Sequence, residues 1–138
     1  FGAKLDLPIE WQDRTFLPYD WGYFSFVFDT NKIKEVPQSF EELINSDLRL
    51  VIQDPRSSTP GLGLLLWIEK IFGRDSKPIW EKLSDNIVTV TPGWSEAYGL
   101  FLEGEVDGVL SYTTSPAYHI VVEKDFSKRA AIFLKKVI

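Results

Sequence analysis

Three hydroxyl side chains precede a proline-glycine pair in the stretch DPRSSTPGLGLLLW, which spans residues 54–67. The first turn of a helix has backbone N–H groups without intrahelical partners and a partial positive charge. Ser58 or Thr59 ahead of Pro60 can cap such a turn, and spare amides and hydroxyls bind an anion or a hydroxyl-bearing ligand without a basic side chain. The motif TTSPAY, which contains Ser115, repeats the arrangement. Two such motifs, together with the aromatic motif described next, favour a binding site over the alternative, in which the hydroxyls only cap helices and the glycines only allow close packing.

Aromatic side chains accompany the hydroxyl motifs. In TPGWSEAYGLF, Trp94 begins a predicted helix and Tyr98 follows four residues later on the same face. A Trp at a loop-to-helix edge can offer its flat face to a ring or a cation. Tyr112 ends a predicted strand and Tyr118 lies one turn beyond Ser115, so these aromatics border one predicted crevice. Core packing of Trp94 is the alternative.

Catalysis and metal binding find little support in the residue types. His119 is the single histidine, and beside Ile120 and Val121 it is typical of a packed, hydrogen-bonded residue. The chain has no cysteine, and GLGLLLW lacks the lysine of a phosphate-transfer loop. Asp54 and Glu96 lie in the hydroxyl and aromatic motifs, where their carboxylates suit counter-charges for a cationic ligand as well as acid–base chemistry. We therefore predict no catalytic residue, no metal site and no cofactor.

Strands and helices alternate along the chain, which predicts an α/β fold with a mainly parallel sheet flanked by helices. The helix from residue 60 to about 72 has such continuous apolar sequence that we expect burial on most of its sides. Ligands of such sheets gather at the carboxyl ends of the strands. The junctions with that form span residues 54–61, 91–95 and 111–116. Predicted strands cover 48–54, 87–91 and 106–112 after an extended segment at 15–33, and predicted helices cover 37–47, 60–72, 76–86, 93–105 and 115–124.

Composition excludes several classes of function. The 138 residues are 44% hydrophobic with a net charge of -5, and the basic residues are scattered apart from a short run near the C-terminus, which disfavours nucleic-acid binding. No stretch of about 18 apolar residues and no charged-then-apolar leader is present, so we expect neither a membrane span nor a signal peptide. Zero cysteines leave the redox compartment open. The start at Phe1 and the absence of methionine suggest an excised or processed piece.

Three segments together resemble the family of periplasmic thiamine-binding receptors of bacterial ABC importers. They are YDWGYFSFVFDTNKI, DPRSSTPGLGLLLW and VTPGWSEAYGLFLEGEVDGVLSYTTSPAYH, and the resemblance extends from about Trp11 to Val122. It implies a lobe of a type II periplasmic binding protein, in which two hinged α/β lobes close on a solute. It also implies a periplasmic location and delivery to the membrane permease of an ABC transporter. The ligand would be thiamine, thiamine monophosphate or thiamine diphosphate.

The resemblance also assigns roles to residues. It places Ser58 in the loop that receives the phosphate or hydroxyethyl end of the ligand, and Trp94 and Tyr112 on either side of the aromatic rings. The predicted ligand-binding residues are Ser58, Thr59, Trp94, Tyr112, Ser115 and Tyr118. The implied domains are hinge-proximal strands with a connecting helix at 1–47, the second, ligand-binding lobe at 48–125, and a divergent or truncated tail at 126–138.

Members of that family are longer than this chain, so much of the first lobe is expected to be missing. We therefore expect weak or undetectable affinity from the fragment alone, and exposed strands that favour dimerisation. Two other classes stay open at this point. One is a receptor for another cationic or phosphorylated solute, such as a polyamine, although ferric iron is disfavoured because no pair of adjacent tyrosines is present. The other is a small enzyme or a non-binding interaction module.

Overall fold

The computed structural model describes residues 10–20 and 22–133, and predictions that fall on 1–9, on Trp21 or on 134–138 lie outside the described residues. One five-stranded sheet carries helices on both faces, with the strand order β3-β2-β4-β1-β5. The strands are β1 (Phe24–Asp29), β2 (Leu50–Gln53), β3 (Ile87–Thr91), β4 (Gly108–Tyr112) and β5 (Lys128–Ala130). The helices are α1 (Phe40–Ile44), α2 (Thr59–Phe72), α3 (Ser76–Ser84), α4 (Trp94–Leu102) and α5 (Ser115–Tyr118), with a 3-10 turn at Gly73–Asp75 and a π-helical segment at His119–Glu123.

The central strands run in parallel. β2 pairs in parallel with both β3 and β4, whereas β1 is antiparallel to its neighbours β4 and β5. Four of the five strands therefore share one direction, as the alternation of strands and helices predicts. The carboxyl ends of β2, β3 and β4 meet at one edge of the sheet, called the carboxyl edge below.

The sheet lies between two hydrophobic cores, and β1 contributes side chains to both. Phe26 and Phe28 pack in the core beneath α1, α2 and α3, whereas Val27 points to the other face and packs with residues of α4. Such two-residue alternation is the usual geometry of a β-strand. The three-residue strand β5 was not predicted, because its residues Lys, Arg and Ala lack strand character. Since β1 and β5 share the sheet with the other strands, the proposed division at residues 48 and 126 stays a prediction.

Helix α2 is buried on one side only, and the prediction of burial on most sides is wrong. Leu64 and Ile68 are fully buried, but Leu62, Leu65 and Leu66 are between 42% and 59% exposed. The sheet covers one side of the helix, and a continuous apolar sequence does not reveal which sides are covered. Within residues 10–20 and 22–133, no helix combines the length and apolar character that crossing a bilayer requires.

The glycines at the start of α2 let the helix approach the sheet closely. A Cβ at Gly61 would overlap the carbonyl oxygen of Gln53 and lie 2.8 Å from the carbonyl carbon of Asp54. A Cβ at Gly63 would collide with the ring of Phe24. Their side-chain positions therefore face the sheet, which supports the close-packing role for these glycines.

Candidate functional site

The loops at the carboxyl edge are joined by hydrogen bonds. The amide of Asp54 donates to the carbonyl of Thr91 at 2.8 Å, which ties the end of β2 to the end of β3. Beyond the strands, the hydroxyl of Ser57 donates to the carbonyl of Pro92 at 2.7 Å. The first two predicted junctions are thus held against each other.

The indole of Trp94 links the second junction to the third. Its Nε1–H donates to the hydroxyl of Ser111 at 2.8 Å, and that hydroxyl shares a 2.6 Å hydrogen bond with the hydroxyl of Ser115. Ser111 is fully buried near the end of β4, whereas Trp94 is 38% exposed at the start of α4. The indole edge is therefore fixed while part of its surface stays open to solvent.

A cavity of about 320 Å³ lies beside this indole. It is called the Trp94 cavity below, and it is lined by Trp94, Tyr98, Thr114, Ser115, Tyr118 and His119. Of the predicted ligand-binding residues, it brings together Trp94, Ser115 and Tyr118. Its volume falls at the small end of the usual range for ligand sites, about 300–1,000 Å³.

Tyr98 and His119 form the inner wall of the Trp94 cavity. The Tyr98 hydroxyl lies 2.9 Å from His119 Nε2, and His119 Nδ1 lies 2.6 Å from a carboxylate oxygen of Glu123. Burial, followed by the nearby Glu123 charge, raises the pKa of Tyr98 to about 12, so its hydroxyl stays protonated at neutral pH. A neutral His119 with the proton on Nδ1 satisfies both bonds, accepting from Tyr98 and donating to Glu123. This agrees with the prediction of a packed, hydrogen-bonded histidine.

The remaining predicted residues lie at the carboxyl edge but outside the lining of the Trp94 cavity. Tyr112 is half-buried, and its ring packs on Phe24 with centroids 5.3 Å apart, on the side of β4 opposite to Ser111. Ser58 is half-buried and Thr59 is exposed at the start of α2. Although Ser58 occupies the N-cap position, its hydroxyl forms no capping hydrogen bond with any residue that the structure describes.

The carboxylate of Asp54 is already paired. Arg56 binds it through Nε at 3.0 Å and through Nη2 at 2.6 Å. Hydrogen bonds from the Arg56 side chain and backbone lower the pKa of Asp54 to about 2. Asp54 therefore offers less as a counter-charge for a cationic ligand than the sequence suggested. Glu96 is exposed in the first turn of α4.

One group of potential metal ligands occurs in the described part of the chain. Single ligand atoms of His119, Glu123 and Asp125 lie within 4.8 Å of one another. Both ring nitrogens of His119 are engaged in hydrogen bonds, and the ammonium of Lys128 lies 3.4 Å from Asp125. A nearby cation and an engaged imidazole suit a hydrogen-bonded cluster better than an ion site.

Sequence reasoning placed Tyr98 at the border of the predicted crevice but not among the ligand-binding residues, and it assigned neither Ser111 nor His119 to the site. The position of Ser111 could have been predicted from strand alternation. Adjacent residues lie on opposite faces of a sheet, so Ser111 must face away from the side that Tyr112 occupies. The contact between Tyr98 and Trp94 could have been predicted from their four-residue spacing on one helix. No local pattern indicated that His119 would pack behind Tyr98, because that contact depends on how the segment after α5 folds back.

Comparisons with known proteins agree on one family. The family described as bacterial extracellular solute-binding protein matches residues 4–125. The chain is 59% identical over 131 residues to the thiamine-binding periplasmic protein of Escherichia coli (strain K12), covering 94% of the chain and 40% of that relative. It is 57% identical over 129 residues to the protein of the same name from Salmonella typhimurium, covering 92% of the chain and 39% of that relative.

A solved structure is similar as well. It is described as a periplasmic thiamin binding protein and superposes with a TM-score of 0.88 at 58% identity, covering 92% of this chain and 41% of that one. The lobe architecture is thus that of a periplasmic binding protein. The chain spans about two-fifths of the length of the relatives it matches.

Proposed function

The chain belongs to the bacterial extracellular solute-binding protein family, and we propose that it forms part of a periplasmic receptor for thiamine or a thiamine phosphate. In this proposal the receptor captures the solute and delivers it to the membrane permease of an ABC importer. The protein binds thiamine as transported ligand, not as a cofactor, and performs no catalysis. The observation that carries the proposal is the fixed, partly exposed indole of Trp94 beside a cavity at the carboxyl edge, in a chain so similar to relatives named for thiamine.

The chemistry of thiamine suits the Trp94 cavity. Thiamine has a cationic thiazolium ring and an aminopyrimidine ring, and both types of ring stack on the face of an indole. Tyr118 is 59% exposed at the mouth of the cavity, where its hydroxyl can reach a ligand heteroatom. Ser115 adds a hydroxyl oxygen within the lining.

We assign the polar end of the ligand to the start of α2. Ser111 and Tyr112 are adjacent but face opposite sides of β4, so the end of this strand borders both the Trp94 cavity and the region beside α2. A ligand lying across the strand end would place its rings between Trp94 and Tyr112. Its hydroxyethyl or phosphate group would then meet Ser58, Thr59 and the first amides of α2.

A polyamine is the less favoured solute. Polyamine recognition needs several free carboxylates around aromatic rings, and the carboxylate of Asp54 is neutralised by Arg56. The aromatic and hydroxyl groups of the site therefore suit a ligand with a flat cation and one polar end.

Isothermal titration calorimetry tests the proposal on the intact protein, by which we mean a receptor of the relatives' full length that contains this chain. We expect saturable binding of thiamine or thiamine monophosphate and no comparable heat with spermidine. An intact protein that binds spermidine but neither thiamine compound would refute the assignment.

A further inference from the structure

Three rings stack in a line from solvent to core beneath the Trp94 cavity. The ring centroids of Trp94 and Tyr98 lie 4.7 Å apart with an interplanar angle of 24°, and those of Tyr98 and His119 lie 5.9 Å apart at 16°. Exposure falls along the line from 38% to 7% to 2%. Only the outermost ring is therefore open enough to accept a ligand.

Hydrogen bonds fix the two inner rings. The Tyr98 hydroxyl is bonded to His119, and the far side of His119 is bonded to Glu123. Phe101 packs edge-on against Tyr98 with centroids 5.6 Å apart, which closes another side of that ring. Tyr98 thus has one orientation that satisfies its packing and its hydroxyl together.

The backbone that carries His119 and Glu123 forms a π-helical segment. The carbonyl of His119 accepts from the amides of Lys124 and Asp125, which widens the last turn into a π-helical segment. Lys124 ends it in the left-handed conformation, with φ of 59°. Single π-helical turns occur frequently at functional sites. Within this one, the Glu123 carboxylate lies 2.6 Å from Nδ1 of the buried His119.

We propose that Tyr98, His119 and Glu123 are positioning residues of the ligand site, which act by holding the Trp94 ring in its ligand-binding orientation. This inference rests on the proposed function, because it concerns the same site. Tyr98 supports the inner face of the indole, while Ser111 holds its edge. A ring that is already oriented loses less conformational freedom when the ligand binds, so preorganisation contributes to affinity.

Two conservative substitutions in the intact protein test the proposal. Tyr98→Phe keeps the ring and removes the hydroxyl, and Glu123→Gln removes the charge that orients His119. We expect Tyr98→Phe to raise the dissociation constant for thiamine by about three- to tenfold, the effect of losing one buried hydrogen bond. Glu123→Gln should raise it about threefold, because an amide oxygen accepts the Nδ1 proton more weakly than a carboxylate does. The indole N–H resonance of Trp94, assigned by its loss in Trp94→Phe, should shift or broaden in the ligand-free variants.

A matched control is available on α3. Glu81 pairs with Lys77 at 3.9 Å with the same four-residue spacing, but on the exposed surface of a helix beneath the other face of the sheet. Glu81→Gln should leave both the affinity and the Trp94 resonance unchanged.

The outcomes separate the two proposals. Unchanged affinity and an unchanged Trp94 resonance in Tyr98→Phe and Glu123→Gln would overturn the positioning role, even if melting temperatures fall. Should Tyr98→Phe fold poorly, Glu123→Gln still decides, because its carboxylate is half-exposed. An unsubstituted protein that ignores thiamine would refute the proposed function, while the resonance of Trp94 would still report on the positioning of the ring.

Discussion

Trp94 is the side chain on which ligand binding should depend most. Its edge is fixed by Ser111 and its inner face by Tyr98, so substitution removes an oriented aromatic surface. We expect Trp94→Ala to weaken thiamine binding by the intact protein about tenfold or more, the effect of a lost cation–π contact in a partly desolvated site. Calorimetry measures the change.

The control for this substitution lies on the same helix. Leu102 is 52% exposed at the far end of α4 and is absent from the lining of the Trp94 cavity. Leu102→Ala should bind thiamine like the parent. Equal affinity of Trp94→Ala and Leu102→Ala would remove Trp94 from the site.

Because of Tyr98, the free energy of unfolding should decrease at alkaline pH. Its pKa is raised from 10.0 to about 12 in the folded state, mainly by burial. A raised folded-state pKa contributes stability that is fully present below the unfolded-state value and is lost as pH rises through the folded-state value. The free energy of unfolding should therefore fall between pH 10 and 12.

Urea unfolding across that interval measures the effect. The fall should be smaller in Tyr98→Phe than in the parent and unaltered in Tyr23→Phe, which removes a tyrosine hydroxyl from an exposed position. Identical pH profiles for the parent and Tyr98→Phe would contradict a buried phenol at this position.

Among the individual site residues, the sequence predicted those whose role follows from local spacing. Trp94 stacks on Tyr98 because the two are one helical turn apart, and Ser115 and Tyr118 follow directly from the motif TTSPAY. The hydrogen bond between Ser111 and Trp94 joins residues 17 positions apart, which no local pattern encodes. The ligand contacts of all six predicted residues stay a prediction, including those of Trp94, Ser115 and Tyr118, which line one cavity.

Helix α2 depends on glycine at its first turns. A Cβ at Gly61 would meet the backbone of β2, which cannot move without disturbing the sheet. We expect Gly61→Ala to lower the free energy of unfolding by about 2 kcal/mol, a typical cost of overpacking. Urea unfolding measures the change.

Gly99 provides the comparison. It lies within α4. Apart from its chain neighbours and the surrounding helix backbone, no atom of the described residues would lie within 4 Å of a Cβ there. Gly99→Ala should therefore raise the free energy of unfolding by up to about 1 kcal/mol, because alanine favours the helical conformation. Equal effects at the two positions would contradict close packing of α2 on β2.

The elements themselves were largely predictable, and the exceptions have physical causes. The sequence at the start of α1 contains Ser39 and Glu42 at the spacing of a capping pair, and the Glu42 amide donates to the Ser39 hydroxyl at 3.1 Å. Gly73, with φ of 52°, follows the last residue of α2, Phe72, where the predicted helix also ends. β5 was not predicted because its pairing with β1 is set by tertiary contacts. The one-sided burial of α2 was not predicted because it depends on which neighbouring elements cover the helix.

A chain that spans about two-fifths of its relatives should hold only part of the ligand. Solute sites of this size usually bury about 70–90% of the ligand surface, whereas the Trp94 cavity is an open groove. We expect this chain alone to bind thiamine about a hundredfold more weakly than a protein of the relatives' full length, because a partly enclosed ligand keeps more of its surface in water. Parallel calorimetric titrations make the comparison, and equal affinities would contradict binding between two lobes.

The most direct test of the account is a crystal structure of the intact protein grown with thiamine. We predict electron density for a thiamine ring against the open face of Trp94, with the hydroxyethyl or phosphate end directed towards Ser58 at the start of α2. Thiamine density away from the carboxyl edge, with the Trp94 cavity filled only by water, would contradict the account.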